Sequence, residues 1–353
     1  MKAFLTPLQG LAEFEQIKEK SKTNKGILQV SGCMESQKSH LMYGLSGIAP
    51  YRLILAEDER RAREIYEDYR FYDRKVYSYP AKDLLFFQAD IHGNLLIRQR
   101  MKVIKALLEE KELTVVTSID GCMDFLESLE KIKEQLIHYE SDSTVDIEQL
   151  KNQLVALGYE RVGQVEMPGQ FSVRGGIVDI YCLTEENPWR IELWGDEIDT
   201  IRCFEPQSQR SMDQIECVSV FPAAEVIADD TARRRAVGMI QNELESQLAV
   251  FKKVKEPDKA KRLREETNRI LEALGEDVVL EAPDSYISYF YPRTVQLSEY
   301  FDEKNTLVFL DEPMRLKERG DGVQAEFEES MKNRLEQGFL LPGQTALLTP
   351  AKK

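Results

Sequence analysis

Two different periods of apolar and polar positions succeed each other along the chain. Over the first 120 residues, short apolar runs alternate with longer charged stretches whose apolar positions recur at helical spacing. Strands that alternate with helices in this way predict a parallel sheet that is covered on both faces. The predicted strands are 26–30, 51–56, 75–80 and 113–118, and the predicted helices run through 40–42, 57–73 and 94–110.

The period changes near residue 145. Residues 145–157 predict one amphipathic helix, which Gly158 ends. Beyond it the chain is dense in short strands and turn residues, and Gly195-Asp196 predicts a tight hairpin turn between two of those strands. The region therefore predicts a compact antiparallel sheet with strands at 171–174, 176–181, 189–194 and 197–202.

The α/β pattern returns in the last third of the chain. Residues 229–275 predict long helices with a break at Pro257. Residues 277–280 are a weak strand candidate, whereas 305–312 form a clear strand that ends in two carboxylates. The predicted fold class is therefore α/β, in which a parallel-sheet domain is split by a small inserted domain rich in antiparallel strands.

Composition narrows the class of function. The formal net charge is −15, and a surface this acidic repels phosphate backbones, so the chain as a whole is not expected to bind nucleic acid generally. The five cysteines form no C-x-x-C pair, which predicts reduced thiols. The three histidines lack ligand spacing, so we expect no histidine-based metal site. Without a membrane-length apolar run or a signal peptide, we expect a cytoplasmic protein.

One segment occupies the place of a phosphate-binding loop. The sequence G-C-M-E-S-Q-K-S at 32–39 lies between a predicted strand and a helix, where the pattern G-x-x-x-x-G-K-[ST] belongs. Gln37 replaces the second glycine, and its Cβ interferes with the turn that wraps backbone N–H groups around phosphates. Glu35 adds a negative charge inside the loop. The positions that do match the pattern are Gly32, Lys38 and Ser39.

The strand at 305–312 ends in the acidic partner of such a loop. In P-loop enzymes an aspartate at the position of Asp311 holds Mg²⁺, and a glutamate at that of Glu312 activates water. Taken alone, acids at a strand end are also ordinary solvated residues. Together with Lys38 they are interpreted as a degenerate nucleotide site. No nucleophile stands beside a matching base, so we predict no catalytic residue.

A few arginines stand out within the acidic β region. Alternation places Arg174 on the face opposite Val173, and it places Arg190 and Glu192 on one face. The planar guanidinium suits carboxylates on a partner, and arginine is enriched at interface hot spots. These residues and Arg161 fit intramolecular surface ion pairs equally well, and the pattern leaves both interpretations open.

The β region also carries the residues by which the chain resembles a known family. They are Y-E-R at 159–161, P-G-Q-F-S-V-R-G-G-I-V-D-I-Y at 168–181, W-R-I-E-L-W-G-D-E-I-D at 189–199 and F-P-A at 221–223. This pattern closely resembles the N-terminal part of bacterial transcription-repair coupling factors (Mfd) and, more loosely, the excision-repair protein UvrB. The resemblance extends from about residue 20 to residue 340.

The resemblance implies a UvrB-homology module, in which a helicase-like domain is split around an inserted domain that docks on UvrA. The implied boundaries are 1–120 for domain 1a, 121–222 for domain 2, 223–340 for domain 1b and 341–353 for a linker. The positions that match UvrA-binding residues of UvrB are Arg161, Ser172, Arg174 and Glu192, to which the pattern adds Arg190. Ser172 stands where UvrB has an arginine, so one charge contact is lost or moved.

Two departures from UvrB shape the expected function. Gln37 interrupts the P-loop, and residues 81–93 are too few for the aromatic hairpin with which UvrB clamps DNA. The resemblance therefore implies a non-catalytic adaptor that recruits UvrA and needs no cofactor. RNA polymerase and DNA would contact other parts of such a factor, and its C-terminal domain would cover the UvrA-binding face. The alternatives are an active UvrB-like helicase and a structural spacer that regulates the translocase.

Overall fold

The computed structural model describes residues 2–23, 26–82, 93–275 and 283–350. The helices are α1 (Lys2–Gln9), α2 (Ala12–Thr23), α3 (Glu35–Gly44), α4 (Glu59–Arg70), α5 (Gly93–Glu109), α6 (Ile119–Met123), α7 (Leu129–Glu134), α8 (Ile147–Ala156), α9 (Asp230–Lys253), α10 (Pro257–Gly275), α11 (Ile287–Phe290) and α12 (Pro313–Glu336). The strands are β1 (Tyr51–Ala56), β2 (Val76–Tyr79), β3 (Leu113–Ser118), β4 (Ile137–Glu140), β5 (Glu160–Arg161), β6 (Gln170–Arg174), β7 (Ile177–Ile180), β8 (Trp189–Trp194), β9 (Glu197–Phe204), β10 (Ser211–Gln214), β11 (Cys217–Val220) and β12 (Thr306–Leu310).

A parallel sheet of four strands brings distant parts of the chain together. Its order is β12-β1-β3-β2, and Leu53 in β1 lies in register with Val308 on one side and Val115 on the other. Every residue of β3 is buried, as expected for a parallel strand with helices on both faces. Asp58 caps α4, which packs against β3, by accepting from the Arg61 N–H at 2.7 Å. The strands predicted at 51–56, 75–80, 113–118 and 305–312 are thus confirmed.

The strand predicted at 26–30 is wrong. Residues 26–34 form no strand and enter no ladder, and the Ile27 side chain is 94% exposed. Among the described residues β12 is an edge strand of the sheet, and two of its apolar side chains, Val308 and Leu310, are about half exposed. A short apolar run becomes a strand only when a neighbour pairs with its backbone, and none of the described strands pairs with this run.

Six strands between residues 160 and 214 form a separate sheet. Its order is β10-β9-β8-β7-β6-β5, and all neighbours are antiparallel except β5 and β6. Gly195 has φ +68° in the hairpin turn between β8 and β9, a conformation that favours glycine. One face of this sheet packs with α5, α8 and the two-stranded sheet β4-β11. The buried residues of this core include Ile104, Leu154, Phe171, Val178, Ile191, Ile201 and Val218.

Long helices follow the six-stranded sheet. The predicted break at Pro257 is confirmed, because α9 ends at Lys253 and α10 begins with this proline. Both helices pack with α12 around a second core, which also buries Leu341 and Leu347 beyond the last long helix. The weak strand candidate at 277–280 lies outside the described residues.

The architecture is therefore α/β with a parallel sheet and a separate antiparallel β-rich sheet. The segment that forms the second sheet lies, in sequence, between β3 and β12 of the first. This arrangement matches the predicted interruption and resumption of the α/β pattern. The residue boundaries of the domains stay predictions.

A buried ionic cluster lies where the chain leaves the parallel sheet and returns to it. Arg100 is fully buried, and its Nη1 donates at 2.8 Å both to Asp124 Oδ2 and to the carbonyl oxygen of Pro80. It also pairs with Glu225, and its guanidinium lies 4.1 Å from the centroid of the Tyr79 ring. Because Asp124 precedes the second sheet in sequence and Glu225 follows it, one arginine joins both connecting segments.

The net pKa shifts of the two carboxylates of this cluster have opposite directions. Burial raises the pKa of Asp124 to about 6, although Arg100 opposes the shift. Burial also raises the pKa of Glu225, but the nearby charges of Arg100 and Lys82 outweigh it, and the net pKa lies below its usual value. Both carboxyl groups therefore depend on Arg100 to stay ionised inside the protein.

Replacing Arg100 by methionine is expected to lower the free energy of unfolding by about 3–5 kcal/mol at pH 7, because it removes the ion-pair partner of buried Asp124 and leaves Glu225 with Lys82 alone. The loss should shrink at pH 5. Burial already raises the pKa of Asp124 to about 6, and loss of Arg100 raises it further above that of the unfolded chain, so protonation relieves the destabilisation as the pH falls. Urea denaturation at both pH values measures the effect.

Arg269→Met is the matched control. Arg269 is exposed on α10 and pairs at 3.2 Å with Glu266, one turn away. An exposed pair of this kind predicts a change below about 1 kcal/mol at either pH. Equal losses for the two variants would contradict the importance of the buried cluster.

Candidate functional site

The six-stranded sheet has a second face, opposite its apolar core. The register of β6 to β9 aligns side chains of this face in two rows across the strands. One row is Arg174, Ile177, Glu192 and Thr200, and the next is Ser172, Asp179, Arg190 and Arg202. We call these eight residues the outer face. They include four of the five residues that the sequence nominates for partner binding.

Asp179 fixes the positions of two arginines on the outer face. Its side chain is completely buried, and its Oδ2 accepts from Arg174 Nη2 at 2.6 Å and from Arg190 Nη2 at 2.9 Å. Its Oδ1 accepts from Arg190 Nε at 2.7 Å, and the Arg190 guanidinium lies 4.5 Å from the centroid of the Phe204 ring. The Arg190 fork is held at several points and has little freedom left, whereas one hydrogen bond to Asp179 tethers Arg174.

Sequence reasoning missed Asp179. Its only signal in the sequence is its place between two core residues of β7, Val178 and Ile180, on the side where Arg190 is predicted. A lone acid at such a position is unremarkable until the neighbouring strands set two arginines beside it.

The exposed fraction distinguishes the two arginines that Asp179 holds. The Arg174 side chain is 47% exposed, whereas that of Arg190 is 14% exposed. Glu192 is partly buried and accepts from Thr200 Oγ1 at 3.1 Å. The intramolecular alternative therefore holds in part, since both arginines pair within the chain, but Arg174 still presents about half of its side chain to solvent.

The other two nominated residues lie apart from this arrangement. Ser172 is buried, and its hydroxyl donates to the carbonyl oxygen of Gly163 at 3.0 Å. Arg161 is exposed on β5, the edge strand beside β6. The structure thus brings Arg174, Arg190 and Glu192 together, and it leaves Ser172 beneath the surface and Arg161 at the margin of the sheet.

The loop that resembles a phosphate-binding loop has a different internal geometry. Gly32 has φ +83°, and α3 begins at Glu35. The Gln37 side chain folds back on the loop, where its Oε1 accepts from the Met34 N–H at 3.1 Å. A backbone donor of this loop is thereby satisfied from within the chain, by the residue that replaces the second glycine of the pattern.

Lys38 is held by three carboxylates. Its Nζ lies 2.9 Å from Glu35, 2.9 Å from Asp311 and 2.7 Å from Glu312. Burial lowers the pKa of Lys38, but the hydrogen bonds to these acids outweigh burial, so the net pKa lies above its usual value. Ser39, the next residue of the pattern, is buried. The lysine that reaches phosphates in a working P-loop is therefore neutralised inside this chain.

Arg61 completes this ionic cluster and was also missed by sequence reasoning. Its Nε donates to Asp311 at 2.7 Å, and the guanidinium pairs with Glu35 as well. Burial raises the pKa of Asp311, but Arg61 and Lys38 outweigh it and bring the net pKa below its usual value. Glu312 adopts a left-handed backbone with φ 53°, which is uncommon for a residue other than glycine.

The described residues form neither a metal site nor a membrane-spanning helix. Within the described ranges, three or more His, Cys, Asp or Glu side chains nowhere come together in an arrangement that could hold a metal ion. Among the helices described, each is too short or too polar to cross a membrane.

Comparison with known proteins agrees with this geometry. Residues 137–225, which contain the whole outer face, match the model of the UvrB interaction domain. The transcription-repair-coupling factor of Bacillus subtilis is 32% identical over 327 residues, covering 88% of this chain and 27% of that protein. That of Staphylococcus epidermidis is 30% identical over 274 residues, covering 77% of the chain and 23% of that protein.

UvrB proteins are also related. The UvrABC system protein B of Thermosipho africanus is 29% identical over 317 residues, which is 82% of the chain and 47% of that protein. The resemblance to transcription-repair coupling factors that the sequence predicts is confirmed over most of the chain. The chain spans about a quarter of the length of those relatives.

Asp179→Asn is expected to lower the free energy of unfolding by about 2–4 kcal/mol, because it removes a buried charge that two arginines require. Arg174→Ala is the comparison, and its half-exposed side chain predicts a loss below about 1 kcal/mol. Urea denaturation of both variants at pH 7 provides the test. Similar losses would show that Asp179 does not organise the outer face.

Proposed function

We propose that this chain, related over most of its length to transcription-repair-coupling factors, is an adaptor module that recruits UvrA in transcription-coupled nucleotide excision repair. The observation that carries the proposal is Arg174. It is half exposed, it is oriented by a fully buried aspartate, and it lies within the segment that matches the UvrB interaction domain. An arginine prepared in this way suits recognition of a carboxylate on a partner.

The mixed charges of the outer face favour a protein partner. Arg174 and Glu192 lie in the same row, separated by Ile177 of the intervening strand. Two charges of opposite sign on either side of an apolar residue can select a partner surface by charge complementarity. A nucleic acid would offer only negative charge to this row, and the net charge of −15 would repel it.

The proposal also holds that the P-loop of the helicase-like domain is degenerate, so the module does not hydrolyse nucleotides. Two observations support this. The Gln37 side chain accepts a hydrogen bond from a backbone N–H of the loop, and Lys38 pairs with Glu35 as well as with Asp311 and Glu312. A triphosphate would have to displace these internal contacts and enter beside the Glu35 carboxylate.

An active helicase of the UvrB kind is the second candidate. The observation in its favour is that Lys38, Asp311 and Glu312 do meet in space although they are far apart in sequence. In that case ATP with Mg²⁺ would displace the ion pairs within this cluster and pair with its charged side chains instead. A structural spacer would need neither nucleotide nor UvrA, and RNA polymerase and DNA stay predicted partners of other parts of a longer factor.

Arg174→Ala is expected to weaken binding of UvrA about 10- to 100-fold, because truncating a hot-spot arginine costs about 1.4–2.8 kcal/mol. Alanine is preferred to glutamate, since a new carboxylate would face the buried Asp179. Isothermal titration calorimetry of the purified chain with UvrA measures the change. Arg269→Ala, at an exposed position on α10, is the matched control and should bind like the unsubstituted chain.

Two results of this titration would count against the proposal. Absence of binding by the unsubstituted chain would remove UvrA as the partner and favour the spacer. Equal affinities of the Arg174→Ala and unsubstituted chains would leave UvrA as the partner but move the contact away from Arg174.

ATP with Mg²⁺ is expected to leave the melting temperature of the chain unchanged. A nucleotide present at 100 times its dissociation constant would add about 2.7 kcal/mol to the free energy of unfolding, which calorimetry detects easily.

Lys38→Ala should lower the free energy of unfolding by about 1–3 kcal/mol without changing the affinity for UvrA, because the lysine neutralises acids within the fold. A rise in melting temperature with ATP that Lys38→Ala abolishes would establish the helicase alternative instead.

A further inference from the structure

One large aromatic side chain of the six-stranded sheet is left in solvent. Trp194, the last residue of β8, is 84% exposed. The sequence holds two tryptophans, and the other, Trp189 at the start of the same strand, is buried in the core. An indole is the side chain that gains most from leaving water, and this one stands at the end of a well-paired strand that carries part of the outer face.

The backbone holds Trp194 on the outer side of the sheet. Leu193 packs against the core, so alternation carries the next side chain to the opposite face. The Leu193 N–H donates to the carbonyl oxygen of Gly176 at 2.7 Å, and Gly195 makes the hairpin turn that follows. Turning the indole inward would break this register, so the face on which it lies is set before any partner binds.

Trp194 continues the outer face beyond its charged row. It follows Glu192 by two positions on β8, and Glu192 lies in register with Ile177, which pairs with Arg174. The neighbouring turn between β6 and β7 consists of Gly175 and Gly176. A Cβ added at Gly175 would meet no atom within 4 Å, so open space lies beside the turn, where a partner can approach.

We infer that Trp194 is the apolar anchor of the outer face and enters an apolar pocket of UvrA, beside carboxylates that receive Arg174. This inference rests on the proposed function and deepens it. Binding energy in protein interfaces concentrates in a few tryptophan, tyrosine and arginine side chains that surrounding contacts shield from water. This side of the sheet offers a tryptophan and an arginine together, each carried by a paired strand.

A second copy of this chain is a weaker occupant for the indole. Each copy carries a net charge of −15, and the residues around the turn, Asp196 and Glu197, add negative charge next to Trp194. Two such surfaces repel each other at moderate salt.

The test is calorimetric titration of UvrA with four chains: unsubstituted, Trp194→Ala, Trp194→Phe and Phe71→Ala. Trp194→Ala should weaken binding at least about 30-fold, as expected for a hot spot, and Trp194→Phe should recover most of the affinity. Phe71→Ala is the matched control, because Phe71 is 82% exposed but lies at the end of α4, on the part of the chain that carries the parallel sheet. It should bind like the unsubstituted chain.

A second measurement follows the indole directly. Incorporation of 5-fluorotryptophan into this chain gives two ¹⁹F resonances, and the one missing from Trp194→Phe belongs to residue 194. Unlabelled UvrA should shift or broaden that resonance strongly and change that of Trp189 much less. The urea midpoint of Trp194→Ala should equal that of the unsubstituted chain, since the exposed indole makes little contribution to the fold.

The possible results separate this inference from the proposed function. If the unsubstituted chain fails to bind UvrA, the proposed function and this inference fall together. If it binds and Trp194→Ala binds equally well, the inference fails while the proposed function stands. Self-association of the unsubstituted chain that Trp194→Ala abolishes would assign the indole to a second copy and overturn the inference.

Discussion

Carboxylates that folding removes from water must be paired with cations, and this requirement governs the chain at three places. Asp124 and Glu225 meet Arg100 where the chain leaves the parallel sheet and returns to it. Asp179 meets Arg174 and Arg190 on the six-stranded sheet, and Asp311 meets Lys38 and Arg61 at the end of β12. Desolvation costs several kcal/mol per ion, so each acid holds its cations in a fixed geometry.

This pairing explains why sequence reasoning recovered much of the fold but only part of the site. Strands β1 and β3 were predicted to the residue, because short apolar runs buried on both faces carry a strong signal. The run at 26–30 has a similar composition, but among the described strands none lies beside it, and composition alone cannot supply that neighbour. The partners of buried charges were still harder to predict from the sequence. Arg61 and Asp311 are 250 positions apart, and only the finished sheet brings them together.

Asp179 and Trp194 were missed for a different reason. Both occur inside strands whose alternation was read correctly, but a single acid or a single tryptophan in such a strand is most often solvated or buried in the core. Their roles depend on which residues stand opposite them on neighbouring strands. Register across three strands is a property of the folded chain, whereas alternation along one strand can be read from the sequence.

Lys38 and Arg174 show how one kind of contact can have opposite consequences. Both are cations beside a buried aspartate, at 2.9 Å and 2.6 Å. Lys38 has two further acids around it and is 13% exposed, so its charge is paired within the fold. Arg174 shares a single carboxylate with Arg190 and stays 47% exposed, so about half of its side chain is still accessible to a partner. This contrast underlies the proposal that the P-loop position does not hydrolyse nucleotides, whereas the outer face binds a partner.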